Sequence, residues 1–176
     1  MEELRTFRLC AVGEEMKVLI AYYSRTGNNE KIANELQAML HCDVEKIVDT
    51  VSRLGLWGWL VSGSQAYRRK MSVIMPVAKN PGDYDVVVIV CPFWAGLMPP
   101  PIRTYIFENK DRLNRFALLS VSGSGEGNSK TIPDFEAAVG KEVSVCLLLK
   151  ESELKRADYS GKLQEFSDSV LKLVAS

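Results

Sequence analysis

The run YDVVVIVC, Tyr84 to Cys91, constrains this chain more than any other stretch. A strand with one wet face alternates apolar and polar residues, because successive side chains point to opposite faces. Here the apolar, mostly β-branched residues are continuous. Such a run marks a strand covered on both faces, which is the environment of a parallel sheet packed between helices.

The rest of the chain supplies matching parts. Lys17 to Tyr23 (KVLIAYY), Asp43 to Val48, Phe116 to Val121 (FALLSV) and Glu142 to Leu149 read as four further strands. Between them lie segments with helical spacing. Asn28 to Leu40 places Ile32, Ala33, Leu36 and Leu40 on one face. A helix from Pro101 or Ile102 to Phe107 has proline in its first turn, where the missing N–H does no harm. Thr131 to Val139 and Gly161 to Val174 complete the set, the last with Leu163, Phe166, Val170, Leu171 and Val174 on one side. Strands alternating with helices predict an α/β fold, an open five-stranded parallel sheet with helices on both faces. Thr50 to Pro81 is extra to this pattern. Trp57, Leu60, Val61, Ser64 and Tyr67 recur at helical spacing within it and predict a helix over one sheet face, then a polar loop. KNPGD, Lys79 to Asp83, supplies a turn into the central strand.

At 176 residues with 47% hydrophobic and 25% charged, the chain fits one domain with a packed core. We read residues 1–15 as an arm and 16–176 as the domain. The uncharged run from Val86 to Ile102 contains Pro92, Gly96 and Pro99 to Pro101, so it is a strand and a loop, with no membrane span. Twenty-two basic residues balance twenty-two acidic ones, which gives no general attraction to nucleic acid or to a membrane surface. Cys10, Cys42, Cys91 and Cys146 are too scattered for a metal site, and Cys91 and Cys146 sit in apolar runs as small buried hydrophobes. This usage suits a reducing cytoplasm. With His41 as the sole histidine, no Ser-His-Asp or Cys-His set is formed. A receiver-like phosphoacceptor is excluded too, because Tyr22, Tyr23 and Pro92 stand where its acidic residues would be.

Ligands of parallel sheets collect beyond the carboxyl ends of the strands, and three loops there are distinctive. Ser24-Arg25-Thr26-Gly27-Asn28-Asn29 joins the first strand to the first helix. Hydroxyls, a glycine and a helix start make an anion site, or an ordinary capped turn. It is neither a Walker loop nor G-x-G-x-x-G. Pro92-Phe93-Trp94-Ala95-Gly96-Leu97-Met98 and the triple proline follow the central strand. Its aromatics need an apolar surface: a flat cofactor ring, a protein partner or the end of the sheet itself. Ser122-Gly123-Ser124-Gly125-Glu126-Gly127-Asn128 offers accessible peptide groups.

Together these loops resemble the flavodoxin family. Ser24, Thr26 and Gly27 match its phosphate pattern [ST]-x-T-G-x-T, with Asn29 in place of the last threonine, an amide that can still donate. The resemblance spans Lys17 to Val174. It implies strand order 2-1-3-4-5 and FMN at the switch point; that order is the general rule's own flavodoxin example. On this resemblance Ser24 to Asn29 hold the phosphate, with Arg25 and Lys31 as nearby charges or as solvated surface residues. Pro92 to Gly96 flank the ring with Trp94 stacking on it, and Ser122, Gly123, Gly125 and Asn128 meet its polar edge. No side chain serves as acid, base or nucleophile. In many electron-shuttling members glycine follows the stacking aromatic. Ala95 stands there and resists positive φ, which favours two-electron chemistry. Two functions remain open: an FMN-dependent electron carrier between redox partner proteins, and an FMN reductase of a quinone or other small acceptor fed by NAD(P)H. A non-redox module without flavin is the third. Trp59 and Tyr67 are candidates to cover the ring's outer face, although core packing is the expected role of both. Arg68, Arg69 and Lys70 are expected on a solvated face, with an NADPH phosphate or an acidic partner as the alternative.

Overall fold

A computed structural model of the chain describes residues 17–51, 63–123 and 129–173. The proposed arm, Trp57 and Trp59, Gly125 and Asn128, and Val174 lie outside those residues. Five strands are present: β1 Val18–Tyr22, β2 Asp43–Lys46, β3 Val86–Val90, β4 Arg115–Ser122 and β5 Val145–Lys150. The described helices are α1 Asn28–Leu40, α2 Pro100–Asn109, α3 Thr131–Val139, α4 Glu151–Arg156 and α5 Ser160–Lys172, with residues 63–67 also helical. All strand pairs are parallel, in the order β2-β1-β3-β4-β5. This is the expected fold and the expected order.

Both faces of the central strands are dry, as the uninterrupted run requires. Val86, Val88 and Val90 of β3 point to one layer and Val87 and Ile89 to the other, and every residue of the strand is fully buried. The first layer is closed by Ile32 and Leu36 of α1 with Leu163, Phe166 and Val170 of α5. The second is closed by Ile102, Tyr105 and Ile106 of α2 with Phe135 and Val139 of α3. Pro99 to Pro101 are all buried, and Pro99 caps α2 with proline in the first turn. That helix starts one residue earlier than the spacing suggests and runs two further.

The extra segment is pinned to the rest at several points. Asp49 bridges Ile74 in an antiparallel ribbon, and Thr104 Oγ1 donates to Ser72 O at 2.6 Å. Asn80 Oδ1 accepts from Gly82 N in the KNPGD turn. Two packing expectations fail. Tyr67 is 70% exposed because residues 63–67 turn only Ala66 into the core. Cys146 is exposed because β5 is an edge strand. Arg68, Arg69 and Lys70 are exposed as expected, and the Arg69 side chain also reaches the buried Asp134.

Candidate functional site

Because the strands are parallel, the loops that follow β1, β3, β4 and β5 meet at one rim. A cleft of about 560 Å³ opens there. Arg25, Thr26 and Asn29 line it from the first loop, Pro92 to Gly96 from the second, and Val121, Ser122 and Gly123 from the end of β4 and the start of the third. Ser24, Gly27 and Asn28 are not among the lining residues.

The first loop leaves a helix start uncapped. Gly27 is the N-cap of α1 with φ 93°, and no side chain caps the helix. A Cβ on Gly27 would meet nothing within 4 Å, so glycine is required there by the backbone angle and not by space. Ser24 Oγ accepts from Gly27 N at 3.1 Å, which folds the loop back on itself. The first-turn N–H groups have no acceptor within α1, and the helix dipole adds to their pull on an anion. Glu30, an acid in that turn, is occupied: Lys46 Nζ lies 2.7 Å and Tyr22 Oη 2.9 Å from its Oε1. The bonds from Lys46 and then Tyr22 hold its carboxyl below the usual range. Burial, followed by Glu30 itself, pushes the Tyr22 phenol up to about 12, so it remains a donor.

The Asn29 amide is partly engaged within the protein, with one of its two N–H donors taken. Its Nδ2 donates to Val121 O at 3.0 Å while Val121 N donates to its Oδ1 at 2.9 Å, and the residue is 3% exposed. The amide clamps the first turn of α1 to the end of β4. Thr26, by contrast, is exposed on the cleft wall.

The second loop is a tight hairpin. Trp94 N donates to Leu97 O at 2.9 Å and Leu97 N to Trp94 O at 3.0 Å. The two residues between, Ala95 and Gly96, have φ of 52° and 73°. Positive φ at both central positions is the requirement of a type I′ turn. Ala95 therefore already occupies the left-handed region that the sequence suggested it would resist. The hairpin is held from beneath: Thr131 Oγ1 donates to Gly96 O at 2.6 Å, and Met98 N donates to Asp134 Oδ2 at 3.2 Å. Asp134, with its side chain 2% exposed, also takes Arg69 Nε at 2.9 Å and Arg103 NH2 at 2.5 Å. Phe93 and Trp94 are both buried. Phe93 meets Phe135 edge-on with centroids 5.9 Å apart, and Trp94 meets Tyr23 at 5.7 Å and 82°. The guanidinium of Arg25 lies over the Trp94 ring, 5.7 Å from its centroid.

The third loop brings Ser122, whose Oγ is buried and has no hydrogen-bond partner among the described residues. A buried hydroxyl without a partner costs about 1–3 kcal/mol, so one on a cleft wall is suited to a polar ligand edge. Gly125 and Asn128 fall outside the described residues. Three wall residues escaped the sequence reading: Gly63, the first residue of the short helical stretch, Val121, near the end of β4, and Glu151, the first residue after β5. The rule that ligands gather beyond strand ends points to Glu151 as well. Its place is fixed by a capping arrangement in which Lys150 N donates to Glu153 Oε2 at 2.6 Å.

An uncapped helix start, a buried aromatic wall and an orphan hydroxyl fit a flat ring that carries an anionic tail. Solved structures agree at the level of architecture. A flavoprotein from Lactobacillus acidophilus NCFM, crystallised in complex with FMN, matches 81% of this chain and 98% of its own, at 20% identity and a TM-score of 0.65. This chain has a flavodoxin-like fold. A structure from Bacteroides eggerthii DSM 20697 covers 92% of this chain and 99% of its own at 22% identity, with a TM-score of 0.68. Oxidised Flavodoxin 2 from Bacillus cereus covers 89% and 98% at 15% identity, with a TM-score of 0.56. No family model and no curated protein sequence matches the chain. At such identities the likeness is one of fold. No helix among the described residues is long and apolar enough to cross a membrane.

Proposed function

We propose that the chain binds FMN in this cleft and works as an electron-transfer flavoprotein. The observation that carries the reading is the convergence of the three loops on one wall, which pairs an anion-ready helix start with aromatic cover. The first-turn N–H groups of α1 and the Thr26 hydroxyl would take the phosphate. Trp94 and the Ala95–Gly96 turn would border the ring, and Ser122 Oγ would meet its polar edge. Bound FMN would supply the redox chemistry, and the protein would supply position, exclusion of water and potential. The hairpin holds Ala95 at positive φ with two backbone bonds and the Thr131 contact. The steric objection to one-electron chemistry is thereby lifted, which favours a carrier between redox partners over a reductase.

The visible spectrum of the purified protein is the test. A yellow protein that releases FMN on denaturation, or a colourless one that takes up FMN stoichiometrically, supports the reading. A chain that binds no FMN at micromolar concentration overturns it. Rapid NAD(P)H oxidation by the loaded protein with a quinone would move the assignment to the reductase.

A further inference from the structure

Trp94 is the aromatic wall of the cleft, yet it is only 7% exposed. Part of its cover is Arg25, whose guanidinium lies over the indole. Both residues line the cleft, so a ring that stacks on that face of the indole would have to displace the cation. Building on the FMN reading, we propose that Arg25 is a specificity-determining residue: it makes the cleft select a phosphorylated planar ligand over the same ring without phosphate.

The argument is one of compensation. Moving a guanidinium off an aromatic face forfeits a cation–π contact, roughly 3- to 30-fold in affinity for a partly buried pair. A bare ring that takes its place gives the displaced cation nothing. A ring with a phosphate tail does, because Arg25 sits between Ser24 and Thr26, in the loop that leads into the uncapped start of α1. There the guanidinium meets the anion in a charge-assisted bond. Charge on the wall points the same way. Among the described lining residues Arg25 is the cation and Glu151 the anion. Without Arg25 the wall is net negative and opposes a phosphate. The side chain thus weakens the ring alone and strengthens the ring with its tail.

Affinities of FMN and riboflavin for the wild-type protein, R25Q and R25K test this. In R25Q riboflavin should tighten several-fold while FMN weakens by about tenfold or more, the scale of a lost hydrogen bond to a charged group. R25K keeps the charge but not the planar stack, and should retain most of the FMN affinity. Weaker FMN with unchanged riboflavin would make Arg25 a phosphate ligand only and overturn the proposal, as would equal loss of both.

A second readout needs no flavin. With Trp57→Phe and Trp59→Phe, Trp94 is the fluorophore, and added inorganic phosphate should increase its quenching by acrylamide with Arg25 present but not in R25Q. No response in either protein overturns the cap. A phosphate response in a protein that binds neither flavin would retain Arg25 as an anion-drawn cap and sink the flavin reading instead.

Discussion

The two ends of the cleft are built on opposite plans. At the first loop the backbone keeps its donors available: Gly27 caps α1 with no side chain, and the acid in the first turn is tied to Lys46 and Tyr22. At the hairpin several polar groups are already taken within the protein. Trp94 and Leu97 pair with each other, Thr131 takes up Gly96 O, and Asp134 takes up Met98 N. The difference teaches what each end is suited to recognise. Available N–H groups suit a charge that arrives with the ligand. A closed, apolar turn suits a ring that needs shape and cover and few new bonds.

The largest test of this contrast is Asp134→Ala. It removes the carboxylate shared by Arg69, Arg103 and Met98 N and leaves Arg103 partly buried without its partner. Breaking a buried ion pair costs about 3–5 kcal/mol. Urea denaturation should show a loss of that size, and ring affinity should fall with it because the hairpin loses its support. Asn29→Ala comes next. It strands Val121 N and O, which we expect to cost about 2–3 kcal/mol in the same assay. FMN and riboflavin should weaken together; a loss confined to FMN would show that Asn29 holds the phosphate directly. Thr26→Ala should act on one end alone. Calorimetric titration should find FMN about tenfold weaker, on the scale of one bond to a charged acceptor, with riboflavin unchanged.

The smallest effect is electrostatic. Bonds from Lys46 and Tyr22 depress the Glu30 carboxyl in the folded state. Its contribution is therefore present above the ordinary carboxylate pKa and is lost as pH falls through the depressed value. Both side chains of the Lys46 pair are more than a third exposed, so the size is at most about 0.5 kcal/mol. Glu30→Gln should flatten the acid limb of the stability–pH curve by that amount. A larger change would mean that Glu30 supports the first loop more directly.

Much of this molecule is legible in the residues. The unbroken run of β3 fixes a strand with two dry faces, and the 3.6-residue spacing of Ile32, Ala33 and Leu36 places α1 with its observed bounds. These signals are local and repeat along the chain. What escaped is local in another sense, or not local at all. α4 spans only six residues, too few for a periodic face, and its stop signal is the unremarkable Ala157 at φ 56°. The burial of Trp94 depends on Tyr23 and Arg25, which only the fold brings to it. The clamp between Asn29 and Val121 escaped because the two residues lie far apart along the chain.

That separation, 92 positions between Asn29 and Val121, has a consequence for how the protein comes into being. A nascent chain that has emerged as far as α1 already possesses every residue of the first loop. It lacks the strand end that seats the helix start. The anion receptor we propose is thus completed late in synthesis, after β4 has been added to the growing sheet, and an incomplete polypeptide should be unable to sequester the ligand prematurely.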